Sequence, residues 1–205
     1  MTQRDAGSPM ARLKAATSEA HVATEQTAMA RAMAEGALSR RHYGLHLQVF
    51  RVLVADLEAR REAAGAAGAD VWGPERAKLA LLEEDLAHLA PTEAKLPSAL
   101  AALLEKGLPD RLELGALLGR TYVFEGSTLG GAVLAPRLAR SPGLAGEPFR
   151  YYRCYGDALG PLWKAFRREM NRLLETPARL EAAIAEARST FAEVGHAFDA
   201  AWQVG

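Results

Sequence analysis

The stretch of this chain that fits ordinary structure least well runs from Tyr122 to Gly131 and reads Tyr-Val-Phe-Glu-Gly-Ser-Thr-Leu-Gly-Gly. It lies within residues 112–138, where apolar residues recur with helical spacing, so a helix is predicted there. Each glycine inside a helix costs about 1 kcal/mol relative to alanine. Gly126 and Gly130 share one face, where a flat molecule could approach the backbone or the helix could kink. The alternative is a close crossing of two helices through small residues.

Two hydroxyl-bearing residues, Ser127 and Thr128, lie in the same predicted turn as these glycines. Their side chains can hydrogen-bond to the backbone of their own helix or to a ligand at its surface. A kinked helix that carries glycines and hydroxyl groups is therefore interpreted as one wall of a pocket.

A second group of residues able to do chemistry lies on a predicted helix that begins near Met10. His21 belongs to its stripe of residues spaced by three and four, so the imidazole is expected to face inward. Glu25 follows four residues later, so its carboxylate can hydrogen-bond one ring nitrogen and leave the other for a metal ion. The alternative is a buried histidine that is hydrogen-bonded to Glu25 and binds no metal. The stripe consists of Leu13, Thr17, Ala20, His21, Thr24 and Ala28.

Lys14 precedes His21 by two helical turns, which places the two residues about 10 Å apart along one face. This arrangement suits a ligand that has a metal ion at its centre and an anionic group at its edge.

Apolar stripes with helical spacing account for the rest of the chain, and no strand pattern appears. The fold class is therefore predicted to be all-α, a single-domain bundle of about seven helices. His42 and His46 flank the stripe of the helix that follows Ser39, and they are expected to be solvated. The acidic run at residues 83–85 is likewise expected on a solvated face. Further helices are predicted to begin at Glu75, to span Ser98 to Lys106 and to span residues 159–173. Two more are predicted to follow the capping residues Asp110 and Thr176.

The composition fits one domain over residues 10–205, preceded by a flexible, polar segment at residues 1–9. Basic and acidic residues number 25 each, so no charge excess indicates nucleic acid as a partner.

Cys154 is the only cysteine, which excludes an internal disulfide and favours a reducing compartment. The sequence shows no apolar signal segment and no apolar run long enough to span a membrane, so a cytoplasmic protein is predicted.

Two stretches occur together in a known family: residues 13–25, Leu-Lys-Ala-Ala-Thr-Ser-Glu-Ala-His-Val-Ala-Thr-Glu, and residues 118–131, Leu-Gly-Arg-Thr-Tyr-Val-Phe-Glu-Gly-Ser-Thr-Leu-Gly-Gly. The chain resembles the bacterial heme oxygenases, including those that supply biliverdin to bacterial phytochromes. The resemblance covers nearly the whole chain. It implies an all-α fold in which heme lies between a proximal helix with an axial histidine and a kinked, glycine-rich distal helix.

The resemblance also implies roles for particular residues. His21 would be the axial iron ligand and Glu25 the carboxylate that orients it, while Gly126 and Gly130 would let the distal backbone lie against the heme face. Hydrogen bonds to the bound oxygen would come from the backbone, ordered water or the two hydroxyl-bearing residues. The remaining residues expected to bind heme are Lys14, Tyr122 and Arg167, as partners of the propionates, and Gly131.

The activity implied by the resemblance is the opening of bound heme to biliverdin, carbon monoxide and ferrous iron with molecular oxygen. The animal enzymes carry an aspartate where this chain has Ser127, so the resemblance assigns no route for protons. No glycine-rich dinucleotide-binding motif occurs, so electrons are expected from a separate reductase or ferredoxin. A phytochrome that accepts biliverdin is a further expected partner.

Two other functions fit parts of the sequence. A heme carrier or sensor on the same fold would keep the pocket without degrading heme, although it has no need of a bare distal face. A di-iron oxidase would need several inward carboxylates and histidines. Only two pairs with suitable spacing support it, Glu193 with His196 and Asp85 with His88.

Overall fold

The computed structural model describes residues 7–65, 71–90, 95–104 and 112–205, and this part of the chain contains eight α-helices and no strand. The predicted end of the short helix at Lys106 and the predicted cap at Asp110 lie outside these residues. The helices are α1 (Pro9–Glu25), α2 (Ala28–Glu35), α3 (Arg40–Ala64), α4 (Leu79–Ala87), α5 (Ser98–Leu104), α6 (Leu114–Leu138), α7 (Leu159–Leu173) and α8 (Pro177–Val204). Short 3₁₀ turns precede α4 and α7, at Pro74–Arg76 and Gly156–Ala158. The all-α prediction is confirmed.

Helix α1 begins and ends earlier than the sequence pattern indicated. Ser8 is its N-cap and accepts a hydrogen bond from the Ala11 N–H at 3.2 Å, so the proposed flexible segment does not extend to residue 9. At the other end Thr27 caps a new helix, because its hydroxyl accepts from the Ala30 N–H at 3.3 Å. Ala28 therefore belongs to α2 and not to the stripe of His21, and this additional cap raises the number of helices above seven.

Helices α6 and α8 form the centre of the bundle and run in the same direction. Gly115 lies against Arg179 and Ala182, and one turn later Gly119 lies against the backbone of Ala183. A Cβ at Gly119 would collide with the Ala183 carbonyl, so this crossing requires glycine. Helix α1 packs along α8 as well, and α7 contacts both α1 and α6.

Two polar residues that were predicted to be solvated are buried. His46 is 1% exposed, between the rings of Phe50, Tyr152 and Phe198. Asp85 is also 1% exposed, because its carboxylate accepts backbone N–H groups from residues 150 and 151. Both predictions were wrong because the partner comes from a distant part of the chain.

No helix within the described ranges is both long and apolar enough to cross a membrane.

Candidate functional site

His21 lies at the edge of the contact between α1 and α8, and the expectation that it faces the core was wrong. Its side chain is 54% exposed, because Leu13 and Thr17 occupy the core side of α1. The imidazole meets Phe191 of α8 edge-on, with ring centroids 5.4 Å apart. Glu25 Oε2 is 3.4 Å from His21 Nδ1, which leaves Nε2 as the nitrogen available to a metal ion.

The glycines of α6 divide into two pairs that share one face. Seven residues, almost two full turns, separate Gly119 from Gly126, so both face the same way. The first pair, Gly115 and Gly119, touches α8. At Gly126 and Gly130, by contrast, an added Cβ would meet no atom within 4 Å. The face of α6 that packs against α8 therefore continues into a stretch with open space beside it.

The register of the helices places this open stretch at the height of His21. Gly119 lies against Ala183, and the two helices run in the same direction, so seven further residues bring Gly126 to the level of about residue 190 of α8. Phe191, at that level, is the residue that His21 contacts. The glycine pair and the histidine therefore border one cleft whose floor is α8. Leu129 and Val133 on α6 and Val22 on α1 are among the few large apolar side chains that stay exposed.

The two hydroxyl groups of the glycine-rich segment point to different sides of α6. Ser127 is half-buried next to the open face, and its Oγ donates to the Phe124 carbonyl at 2.8 Å. Thr128 is 6% exposed and donates to the Glu125 carbonyl at 2.7 Å. Its position is about half a turn away from the face of Gly119. Ser127 is therefore the hydroxyl-bearing residue next to the open face, whereas Thr128 lies on the other side of α6.

Gly131 also differs from the other two glycines of the segment. Its added Cβ would lie 3.0 Å from the carbonyl oxygen of Tyr152, so the lack of a side chain serves the packing of α6 on the 149–155 loop. Gly131 is therefore a small residue at a packing contact. Gly126 and Gly130 instead leave an open face on the helix.

The residues predicted to pair with heme propionates are spread along α1, α6 and α7. Lys14 is exposed on α1, two turns before His21. Tyr122 is half-buried on α6; burial raises the pKa of its phenol, and a hydrogen bond with Thr17 of α1 opposes that rise. Arg167 is half-buried on α7, one turn before Asn171, whose side-chain oxygen accepts the Met10 N–H at 2.9 Å.

Sequence reasoning missed a buried ionic cluster directly behind the open face. Glu125 is 1% exposed, and its carboxylate contacts Lys78 Nζ at 2.6 Å, Arg76 Nη1 at 3.0 Å and the Tyr155 hydroxyl at 2.8 Å. Arg61 lies at 3.8 Å. Burial by itself would raise the pKa of Glu125, but Lys78 and the two arginines outweigh it and hold that pKa below the usual range. The only sequence signal was a glutamate inside an apolar helical run.

A cavity of about 240 Å³ lies on the side of α6 that carries Thr128. Tyr152, Cys154, Tyr155 and Leu159 contribute to its wall. It is smaller than the roughly 300–1,000 Å³ of typical ligand pockets, and neither His21 nor Gly126 lines it. It is therefore distinct from the cleft between α1 and α6.

The residues around the cleft fit heme. The imidazole of His21 has a carboxylate at one nitrogen, and across the cleft two glycines leave the helix backbone bare. The pairs that suggested a di-iron centre have other partners, because Asp85 binds backbone N–H groups and Glu193 pairs with Arg120 at 2.6 Å. Among the described residues, no three His, Cys, Asp or Glu side chains are grouped so as to hold a metal ion.

Comparisons with known proteins agree with this fit. The model of the heme oxygenase family matches residues 9–200. The fold is similar to that of heme oxygenase from Leptospira interrogans, with a TM-score of 0.77 and 20% identity over 94% of this chain and 99% of that one. It is also similar to heme oxygenase-1 from the cyanobacterium Synechocystis sp. PCC 6803 in complex with heme, with a TM-score of 0.79 and 18% identity over 94% and 91% of the two chains.

A third solved structure, heme oxygenase-2 from Synechocystis sp. PCC 6803 in complex with heme and NO, has a TM-score of 0.70 and 17% identity over 96% of this chain and 86% of that one. At these identities the structural likeness shows the fold. The search among curated proteins gave no match.

The match to the family model, together with the all-α fold, thus defines a protein of the heme-degrading class. The chain belongs to the heme oxygenase family, and it is an enzyme that degrades heme to biliverdin.

Proposed function

We propose that this chain holds heme in the cleft between α1 and α6, where His21 Nε2 would bind the iron. The observation that carries the proposal is the register on α8, which brings the open glycine pair to the height of the residue that His21 contacts. When bound, heme supplies both the iron that activates molecular oxygen and the porphyrin ring that is opened.

The protein's own residues would bind the heme, orient it and leave one face of the ring accessible to oxygen. The Glu25 carboxylate lies 3.4 Å from Nδ1 of His21, where it would favour the tautomer that presents a free Nε2. Bare backbone at Gly126 and Gly130 would let α6 approach the ring of the heme closely. Ser127 supplies a hydroxyl beside that face. Thr128 and Gly131 have no part in this assignment, because one is buried on the far side and the other packs on Tyr152.

Cationic and phenolic groups at the rim of the cleft would hold the two propionates. Lys14 and Arg167 carry positive charge on neighbouring helices, and Tyr122 offers a phenol between α6 and α1. Ion pairs of this kind keep a carboxylate ionised and set the orientation of the ligand to which it belongs.

Carbon monoxide and ferrous iron are the proposed further products, and the electrons would come from a separate reductase or ferredoxin. A phytochrome that takes up biliverdin is the proposed acceptor. We place the reaction in the reducing cytoplasm, where Cys154 remains a thiol. Burial raises the pKa of this thiol and so keeps it unreactive.

The test is an absorption titration of the purified protein with hemin, followed by a time course with oxygen, a reductase and catalase. We expect one heme per chain, then loss of the heme band with growth of biliverdin absorption. A stable heme spectrum with several electron donors would instead identify a heme carrier or sensor.

Replacement of His21 by alanine tests the axial ligand. We expect His21→Ala to change the absorption spectrum of the heme complex and to abolish turnover, because it removes the imidazole that would bind the iron. His196→Ala is the matched control, since it removes an exposed histidine of α8. Identical spectra for wild type and His21→Ala would contradict the assignment.

A further inference from the structure

A loop with one strained residue lies behind α6, and the proposed heme-binding residues do not account for it. Phe149 is the one residue other than glycine with a positive φ in the described part of the chain, at 50°, and its side chain is 1% exposed. Such a conformation persists where the surrounding structure enforces it, and it is common at functional sites. The Asp85 carboxylate holds the two residues that follow Phe149, because it accepts the N–H groups of Arg150 at 2.9 Å and Tyr151 at 3.0 Å.

The effect of this geometry is to bring one phenol to the glycine-rich segment. The Tyr151 hydroxyl is 3.4 Å from Ser127 Oγ, although the two residues belong to different elements. Its ring is 5% exposed and packs edge-on against Phe50 and Tyr152. The ring therefore has little freedom to move its hydroxyl away from Ser127.

The direction of this hydrogen bond follows from counting hydrogen atoms. A serine hydroxyl has one proton and two acceptor positions, and Ser127 donates its proton to the Phe124 carbonyl at 2.8 Å. Tyr151 must therefore be the donor to Ser127 Oγ. Burial raises the pKa of Tyr151 well above its ordinary value, so the phenol keeps the proton that it donates.

Without Tyr151, the Ser127 hydroxyl would be held by its bond to the Phe124 carbonyl, and therefore less firmly among its staggered positions. With Tyr151 on one acceptor position and Phe124 on the proton, one orientation of Ser127 is selected and its second acceptor position stays free. Ser127 directly follows Gly126, so this fixed polar atom stands at the edge of the open face.

We propose that Tyr151 is a positioning residue of the heme-degrading reaction, which holds the Ser127 hydroxyl in one orientation beside the distal face of the heme. The proposal rests on the function proposed above. It also gives a role to Phe149 and to the buried Asp85, because both determine where the Tyr151 hydroxyl lies.

The experiment compares wild type, Tyr151→Phe, Ser127→Ala and the double variant, each loaded with heme. The infrared stretching band of carbon monoxide added to the ferrous heme is the main readout, since its frequency responds to nearby dipoles. We expect one band in the wild type, a broadened or shifted band in Tyr151→Phe because the serine loses one of the two hydrogen bonds that hold it, and one shifted band in both variants that lack the serine.

Turnover provides a second readout. Loss of one buried hydrogen bond is expected to slow biliverdin formation by about twofold to tenfold in Tyr151→Phe, with unchanged affinity for hemin. The double variant should be no slower than Ser127→Ala, because the phenol acts through the serine. Tyr43→Phe is the matched control: it removes the hydroxyl of a fully buried tyrosine that has no hydrogen-bond partner in the described structure.

The outcomes separate this proposal from the proposed function. Failure of the wild type to bind or degrade hemin would overturn the function. A wild-type enzyme that degrades heme, together with a Tyr151→Phe variant whose infrared band is unchanged or matched by Tyr43→Phe, would overturn the role of Tyr151 alone. Should Tyr151→Phe fail to fold, Ser127→Ala decides: an unaltered band and rate in that variant would also overturn the proposal.

Discussion

His46 shows how the fold changes the chemistry of a single side chain. Its Nε2 is hydrogen-bonded to the Tyr152 hydroxyl, and aromatic rings surround the imidazole. Burial lowers its pKa from 6.5 to about 3, so the folded protein holds this histidine neutral. The unfolded chain binds a proton below pH 6.5 whereas the folded chain does not until about pH 3. Stability attributable to His46 is therefore complete above pH 6.5 and is lost as the pH falls through that window.

We predict that His46→Gln flattens the pH dependence of unfolding. Between pH 6.5 and pH 5, His46 should cost the wild type about 2 kcal/mol of unfolding free energy, at roughly 1.4 kcal/mol per pH unit, and the variant should be spared this loss. Urea unfolding at several pH values measures the difference. His88→Gln, at an exposed position, is the control and should follow the wild type. Parallel curves for wild type and His46→Gln would contradict the prediction.

At the scale of the element, α6 serves two purposes with one face. Gly115 and Gly119 allow its first half to press against α8, where a Cβ would collide with backbone atoms. In its second half the same face has open space beside it, and this is the stretch that we propose as the distal wall. The sequence also allowed these glycines to kink the helix. A kink is not needed to expose the backbone, because open space already lies beside Gly126 and Gly130.

The two pairs should respond in opposite ways to alanine. Gly119→Ala is expected to destabilise the heme-free protein by about 1–3 kcal/mol, because the methyl group meets the Ala183 carbonyl. Gly130→Ala should instead stabilise it by up to about 1 kcal/mol, since it improves helix propensity in open space. Chemical denaturation of both variants without heme measures this difference. Equal destabilisation would show that both glycines are packing residues.

A bulkier replacement tests the distal wall. Gly130→Leu should leave the heme-free protein folded, because the side chain enters open space. It should impair turnover more than hemin uptake, since it stands where the reacting face of heme would lie. Hemin titration and biliverdin formation report the two effects separately, and equal loss of both would argue against this role.

At the scale of the whole molecule, Glu125 of α6 connects its helix to three other parts of the chain behind the cleft. Arg61 comes from α3, Arg76 and Lys78 from the segment before α4, and Tyr155 from the loop before α7. Arg76 also donates to the Leu162 carbonyl at 3.0 Å, which adds α7 to the cluster. One buried carboxylate contacts three buried cations, so its loss affects all of these contacts together.

Glu125→Gln is therefore expected to destabilise the protein by about 3–5 kcal/mol, because it leaves buried charges without their counter-ion. Glu193→Gln is the matched control, since Glu186 and Asp56 also lie near its partner Arg120, at 3.6 and 3.5 Å. Its cost should be smaller, about 1 kcal/mol. Hydrogen exchange should show joint loss of protection in α6 and residues 74–78 for Glu125→Gln. A similar cost for both variants would contradict the proposed central role of Glu125.

The sequence by itself determined what depends on neighbours along the chain. Helical spacing and capping residues such as Ser39 and Thr176 gave the all-α fold, because helices form from local hydrogen bonds and a periodic apolar face. The pairing of His21 with Glu25 was predictable for the same reason, since residues four apart on a helix are neighbours.

Only the tertiary structure decided which face of each helix packs against which distant part of the chain. Gly115 and Gly119 have the same spacing as Gly126 and Gly130, yet only packing against α8 distinguishes a helix crossing from an open wall. The partners of Glu125 lie between 30 and 64 residues away, and Tyr151 reaches Ser127 across 24. Such contacts are selected by the burial of charge and aromatic surface in the assembled core, and no local spacing in the sequence encodes them.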